Sequence, residues 1–211
     1  MMVMVMVLPL AVQRDSDRDR LAALSCVTSG IVLLALARNL LERHLVSDAA
    51  TIQLCSDALF LVVSLALARS AGLDMPDLGL STGRLMQRLG GAVFLTVVLA
   101  APSLSHGGSA PVVLAALPAA LTVATIEELV FRGVLFALWQ RRTDALAATV
   151  LTSLAFAASH AFLYPPPVLL VGLITGLLLA TWRALCVDLV APSIAHTASD
   201  SLTAGVLGGL A

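Results

Sequence analysis

Lysine is absent from this chain of 211 residues, and charge of either sign is scarce at 12% of residues. Soluble globular domains carry about 25% charged residues, so a water-exposed fold is excluded. A formal net charge of −1 leaves no basic surface for nucleic acid. The missing lysine reads as a coding bias: all twelve basic residues are arginine. Cysteine is limited to Cys26, Cys55 and Cys186, each inside an apolar run, with neither disulfide nor metal-ligand spacing. The apolar runs lack period-2 alternation, which excludes a membrane barrel. No internal repeat is found, so the usual pointer to an inverted-repeat transporter is missing.

What is present is hydrocarbon. Hydrophobic residues make up 59% of the chain and mean hydropathy is +1.00. Only helices and closed barrels satisfy backbone polar groups in lipid. The fold class is therefore all-α: a polytopic helical membrane bundle of about seven to eight transmembrane helices. Its surroundings are the lipid bilayer, and its location a multi-pass bacterial or archaeal plasma membrane.

Residues 1–20 read as an N-terminal leader. Met1–Val12 is too short to span and lacks a signal peptide's basic start and cleavage site; residues 14–20 are a solvated charged segment. Spans are expected at Leu21–Leu41, Thr51–Ala68, Leu89–Ser103, within 110–140, and at Ala145–Leu163, Val168–Trp182 and Val187–Leu210. Residues 69–88 form a loop, with a short surface helix near Leu85. Residues 104–109 form a turn in which His106 is solvated. The 110–140 stretch would reach about 46 Å as one helix, so Pro118 is expected to kink it or to start its membrane part. Residues 21–109 form an N-terminal helical region and 110–211 a catalytic core. With the N-terminus inside, nine arginines fall on inner segments, and Arg38 and Arg43 on outer ones, which favours that orientation.

Within 110–139 runs Ile126-Glu127-Glu128-Leu129-Val130-Phe131-Arg132-Gly133. A charge in hydrocarbon costs about 2.5–3.5 kcal/mol on insertion scales, so these three charges need partners or a job. Glu128 and Arg132 are i,i+4 in the favourable order for an ion pair. Glu127 points about 100° away on the helix, free to face a cavity. His160 follows Phe156 by four residues, and His196 and Asp200 share a helix face. Each group has a structural reading: an ion-pair cluster, a packed histidine, a hydrogen-bonded pair bridging helices. Asn39 and Ser153 fit ordinary helix packing, and Asp57 fits helix–helix hydrogen bonding.

Two carboxylates, two histidines and an aspartate on three neighbouring helices would suit hydrolysis by water. Gly-x-Ser-x-Gly is absent, which weakens a serine mechanism. His-Glu-x-x-His is absent, so no zincin helix is written here. Asp57, Asp188 and Asp200 lack the contexts of a paired-aspartate site. There remains a glutamate acting as general base on water, with histidines to assist and to polarise a carbonyl.

Glu127-Glu128-x-x-x-Arg132, Phe156-x-x-x-His160 and His196-x-x-x-Asp200 resemble, in order and spacing, the three motifs of the CAAX-protease and bacteriocin-processing (CPBP, or Abi) family of intramembrane endopeptidases. Phe131-Arg132-Gly133, Gly172 and Gly176 are similar as well. The likeness covers roughly residues 115–205. It implies a helical bundle with the site in a cavity between spans. It further implies that Glu127 activates water with His160 assisting, that Glu128 and Arg132 form a structural ion pair, and that His196 and residue 200 stabilise the oxyanion. An ionised Asp200 cannot donate to an oxyanion. It must be protonated, or orient His196, or bind a metal. The resemblance favours a metal-free mechanism with no cofactor; zinc, if used, would take Glu127, His160, His196 and Asp200 as ligands.

The expected substrate partner is a peptide or membrane protein. The alternatives are a non-catalytic scaffold or immunity protein of the same fold, and a proton-coupled transporter. The chosen orientation puts the Tyr164–Pro167 turn outside, with His160 about 5 Å beneath it, whereas a CAAX-processing site would open to the cytosol.

Overall fold

A computed structural model describes residues 3–44, 49–104 and 110–208. Among the described residues the chain is seven helices and no strand: α1 Val3–His44, α2 Ala49–Ser70, α3 Leu85–Leu104, α4 Ala110–Gln140, α5 Ala145–Ser159, α6 Pro166–Cys186 and α7 Val190–Gly208. The all-helical bundle expected from composition is what forms. Helices α2, α4 and α6 and the Arg18–Leu41 part of α1 are long and apolar enough to cross a membrane. Leu85–Ala101 and α5 are shorter apolar helices. Helix α7 carries more polar side chains, with His196, Thr197 and Ser201 buried.

Several boundaries differ from expectation. Helix α1 runs without interruption from Val3, so no helix break separates the leader from the first span. The reason is local: between Ala11 and Ser29 there is no glycine or proline to stop it. The surface helix expected near Leu85 is the first turn of α3 itself. Helix α5 ends at Ser159, not Leu163, and His160 is its C-cap residue. Helix α4 continues through Pro118. Its departure from α geometry comes later, as a π-helical turn over Leu129–Leu135. The turn expected at 104–109 lies, beyond Leu104, outside the described residues, and so does His106.

Helix α4 is the hub. It packs on α2, α5 and α7, while α3 lies against α7, α5 against α6, and α1 against α5 and α2. All six residues from Val130 to Leu135 are buried, as a segment enclosed on every side must be. Ile31 and Ala35 of α1, Phe60 of α2, Phe131 and Leu135 of α4 and Phe156 of α5 form one apolar cluster beneath the site. Gly91 lets α3 meet α6: a Cβ there would lie 2.0 Å from the Trp182 ring.

The ends of the bundle are tied by polar contacts. Asp144 caps α5 by accepting from the Ala147 N–H at 2.7 Å. Asp188 accepts from the Val190 and Ala191 N–H groups at 3.1 Å and pairs with Arg88 at 3.1 Å. In the loop between α2 and α3, the Asp74 backbone N–H donates to Asp77 at 3.0 Å and Arg141 pairs with it at 2.8 Å. The Asp74 hydrogen bond, with Arg141 adding to it, holds the Asp77 carboxyl below its ordinary range.

Candidate active site

The six motif residues come together although they span 73 positions, from 127 to 200. Helix α4 contributes Glu127, Glu128 and Arg132, the end of α5 contributes His160, and α7 contributes His196 and Asp200. Glu128 Oε1 accepts from Arg132 Nη1 at 2.9 Å, and neither side chain has any solvent exposure. The ion pair read from the i,i+4 spacing therefore exists. The Arg132 guanidinium also lies 4.1 Å from the centroid of the Phe156 ring, an arrangement that stabilises a desolvated cation. Gly176 leaves room for it: a Cβ there would come within 3.3 Å of Arg132 Nη2. Glu128 Oε2 and Arg132 Nε and Nη2 find no hydrogen-bond partner.

The two imidazoles are oriented by their Nδ1 atoms. His160 Nδ1 lies 2.9 Å from the Phe156 carbonyl oxygen. A carbonyl only accepts, so Nδ1 carries the proton. His196 Nδ1 is 2.9 Å from Glu128 Oε1, so an ionised Glu128 places its proton on Nδ1 likewise. Both Nε2 atoms then face Glu127, at 3.7 Å (His160 to Oε1) and 3.8 Å (His196 to Oε2). These separations are too long for direct hydrogen bonds and short enough for strong electrostatic coupling. His196 Nε2 is also 3.6 Å from Asp200 Oδ2, whose side chain is 44% exposed. The Phe156 ring packs edge-on to His196 and tilted to His160, with centroids at 5.7 and 4.7 Å. The i,i+4 Phe-His spacing is thus a packing device as well as a hydrogen bond.

Sequence reasoning missed two contributors from α1. Arg38, counted there as an outer-segment arginine, is buried and directed inward, with Nη1 3.6 Å from Asp57 Oδ1 and Nη2 4.0 Å from Glu127 Oε1. Helix α1 extends to His44, which keeps Arg38 inside the bundle. Arg183, counted on an inner segment, is buried too, donating from Nε to the Arg132 carbonyl at 3.1 Å. Asn39, read as ordinary packing, donates to the Ser159 carbonyl at 2.7 Å and the Ala161 carbonyl at 3.3 Å. It thereby satisfies carbonyls left open where α5 ends and fixes the turn that carries His160. The available signal was sequence position: an arginine and an asparagine ending a span of apolar residues. Asp57 meets its expectation, bonded to Gln53 at 3.0 Å on its own helix and facing Arg38.

Replacing Asn39 with Ala should cost about 1–3 kcal/mol by stranding the Ser159 carbonyl. Thermal unfolding in detergent reads that loss, and an unchanged midpoint would remove Asn39 from this role.

A small cavity, with room for about one water, opens beside Glu127, between Arg38, Asp57, Phe60 and Phe131. As for the zinc alternative, the donors do not fit an ion: among the described residues no three His, Cys, Asp or Glu groups are arranged to hold one. The site is a carboxylate between two imidazoles and a guanidinium, buried in a helical membrane bundle.

That class of site is the one found in a family of membrane endopeptidases. Residues 108–202 match the family described as type II CAAX prenyl endopeptidase Rce1-like, and by this match the chain belongs to the CPBP family. The matched stretch holds all six motif residues; Arg38, Asn39 and Asp57 lie outside it. No curated protein and no solved structure matches the chain.

Proposed function

We propose that this protein is an intramembrane endopeptidase that hydrolyses peptide bonds of membrane-associated peptides or proteins with a glutamate-activated water. The observation that carries this reading is the convergence of three nitrogen groups on the Glu127 carboxylate within 4.0 Å. Membership of a family of CAAX prenyl endopeptidases supports it.

In this mechanism Glu127 takes a proton from water, and the hydroxyl oxygen forms a bond to the scissile carbonyl carbon. Negative charge moves to the carbonyl oxygen. His196, with Nδ1 held by Glu128, presents Nε2 as the donor to that oxyanion. Asp200 is placed to stabilise the imidazolium, which supports orientation of His196 as its role over direct donation. His160 presents its own Nε2 beside Glu127 to assist proton transfer. The carbon–nitrogen bond then breaks, and the proton held at Glu127 passes to the leaving amine. The buried Glu128–Arg132 pair holds Glu128 charged, so that it can fix His196.

The test is cleavage of an internally quenched peptide ending in a prenylated Cys-aliphatic-aliphatic-X sequence, with an unprenylated hydrophobic peptide in parallel. Purified protein in lipid nanodiscs should cleave at least one, and 1,10-phenanthroline or EDTA should leave the rate within about twofold. Turnover that chelators abolish and zinc restores would replace the glutamate mechanism with a metal one. Equal rates from wild type and Glu127→Gln would favour the alternative, a scaffold or immunity protein of the same fold.

A further inference from the structure

We infer that Arg38, on a helix outside the family-matched segment, is a positioning residue: it holds Glu127 as the carboxylate, and Asp57 moderates that hold by competing for the same guanidinium. This role presupposes Glu127 as the base, as proposed above.

The geometry is a shared cation. Arg38 directs Nη1 toward Asp57 at 3.6 Å and Nη2 toward Glu127 at 4.0 Å. Two further contacts fix the plane of the guanidinium. Nε donates to Asn39 Oδ1 at 3.3 Å, and the group lies 5.9 Å from the centroid of the Phe60 ring. Arg38 is 8% exposed, so water screens its charge little.

A carboxylate in an apolar bundle stays ionised only with positive charge close by. The charged and titratable groups around Glu127 are Arg38 from α1, Asp57 from α2, His160 from the end of α5, and His196 and Asp200 from α7. Glu128 and Arg132 stand on its own helix. Arg132 is committed to Glu128 at 2.9 Å. The histidines are cationic only when protonated, and moving protons changes that charge in each cycle. Arginine keeps its proton throughout. Arg38 is therefore a constant field on the base, supplied by a side chain that takes no part in proton transfer. Asn39, the next residue, grips the turn that carries His160. One turn of α1 thus sets both the charge of the base and the place of its partner.

Carbodiimide labelling tests this without any substrate. Dicyclohexylcarbodiimide modifies protonated carboxyls in apolar surroundings. The full chain in nanodiscs is labelled across a pH series, and mass spectrometry gives the extent at Glu127, with Glu127→Gln as the assignment control. Arg38→Gln should move the labelling midpoint up by about one pH unit or more. Asp57→Asn should move it down, since Arg38 then serves Glu127 alone, and Arg38→Lys should stay near wild type. Opposite shifts in the two neutralising variants are what a purely structural brace would not produce. Midpoints that stay put, or that shift with the same sign, would overturn the inference. Should Arg38→Gln not fold, Asp57→Asn decides: no downward shift means no shared cation. Because labelling needs no turnover, a chain that cleaves nothing can still pass, and one that loses cleavage on Glu127→Gln can still fail.

Discussion

Glu127→Gln should lower kcat/KM for peptide cleavage by about 10²–10⁴-fold, the usual contribution of a positioned general base. The substitution keeps the side chain's length and its hydrogen-bonding capacity. What it removes is the ability to accept a proton from water. The effect should fall on kcat with KM little changed, because the loss is felt in the transition state. Folding should survive, since Glu127 makes no direct hydrogen bond to His160 or His196: the separations are 3.7 and 3.8 Å. A variant that melts like wild type and cleaves at a rate within threefold of it would end the hydrolase reading.

Arg132→Met should be the most destabilising single change at the site. It leaves Glu128 charged and fully buried, with only His196 Nδ1 at 2.9 Å to answer it. Removing one partner of a buried pair costs about 3–5 kcal/mol, and the stacking of Arg132 on Phe156 goes with it. Reduced yield and a lower unfolding midpoint in detergent are the expected readings. The double variant Glu128→Gln/Arg132→Met separates folding from chemistry. With both charges gone, the desolvation cost goes too, and much of the stability should return. Activity should not return with it, because His196 loses the carboxylate that fixes its Nδ1 proton. A double variant that is stable and fully active would show that Glu128 serves the fold alone.

The parts of the site that could be read from sequence are those written in helical repeats. Glu128 and Arg132, Phe156 and His160, and His196 and Asp200 each lie four residues apart, and each pair does share a face. Arg38 could not be read in that way. Its partners Asp57 and Glu127 are 19 and 89 positions away, and counting arginines by loop placed it outside. The end of α5 was misjudged for a related reason. Nothing in the run from Ala145 to Leu163 shows that Asn39, on another helix, will accept the job of closing Ser159 and Ala161.

The sequence alone determined that this is a membrane-embedded helical protein, because an apolar chain in lipid can satisfy its backbone only within helices. It also determined which acid pairs with which arginine, since i,i+4 contacts are local. Tertiary packing decided the rest: that both imidazoles aim Nε2 at one carboxylate, that His196 is held by Glu128, and that α1 supplies a cation to the base. Those relations depend on how helices distant in sequence approach one another, and that approach is set by side-chain packing across the bundle, which no single helix encodes.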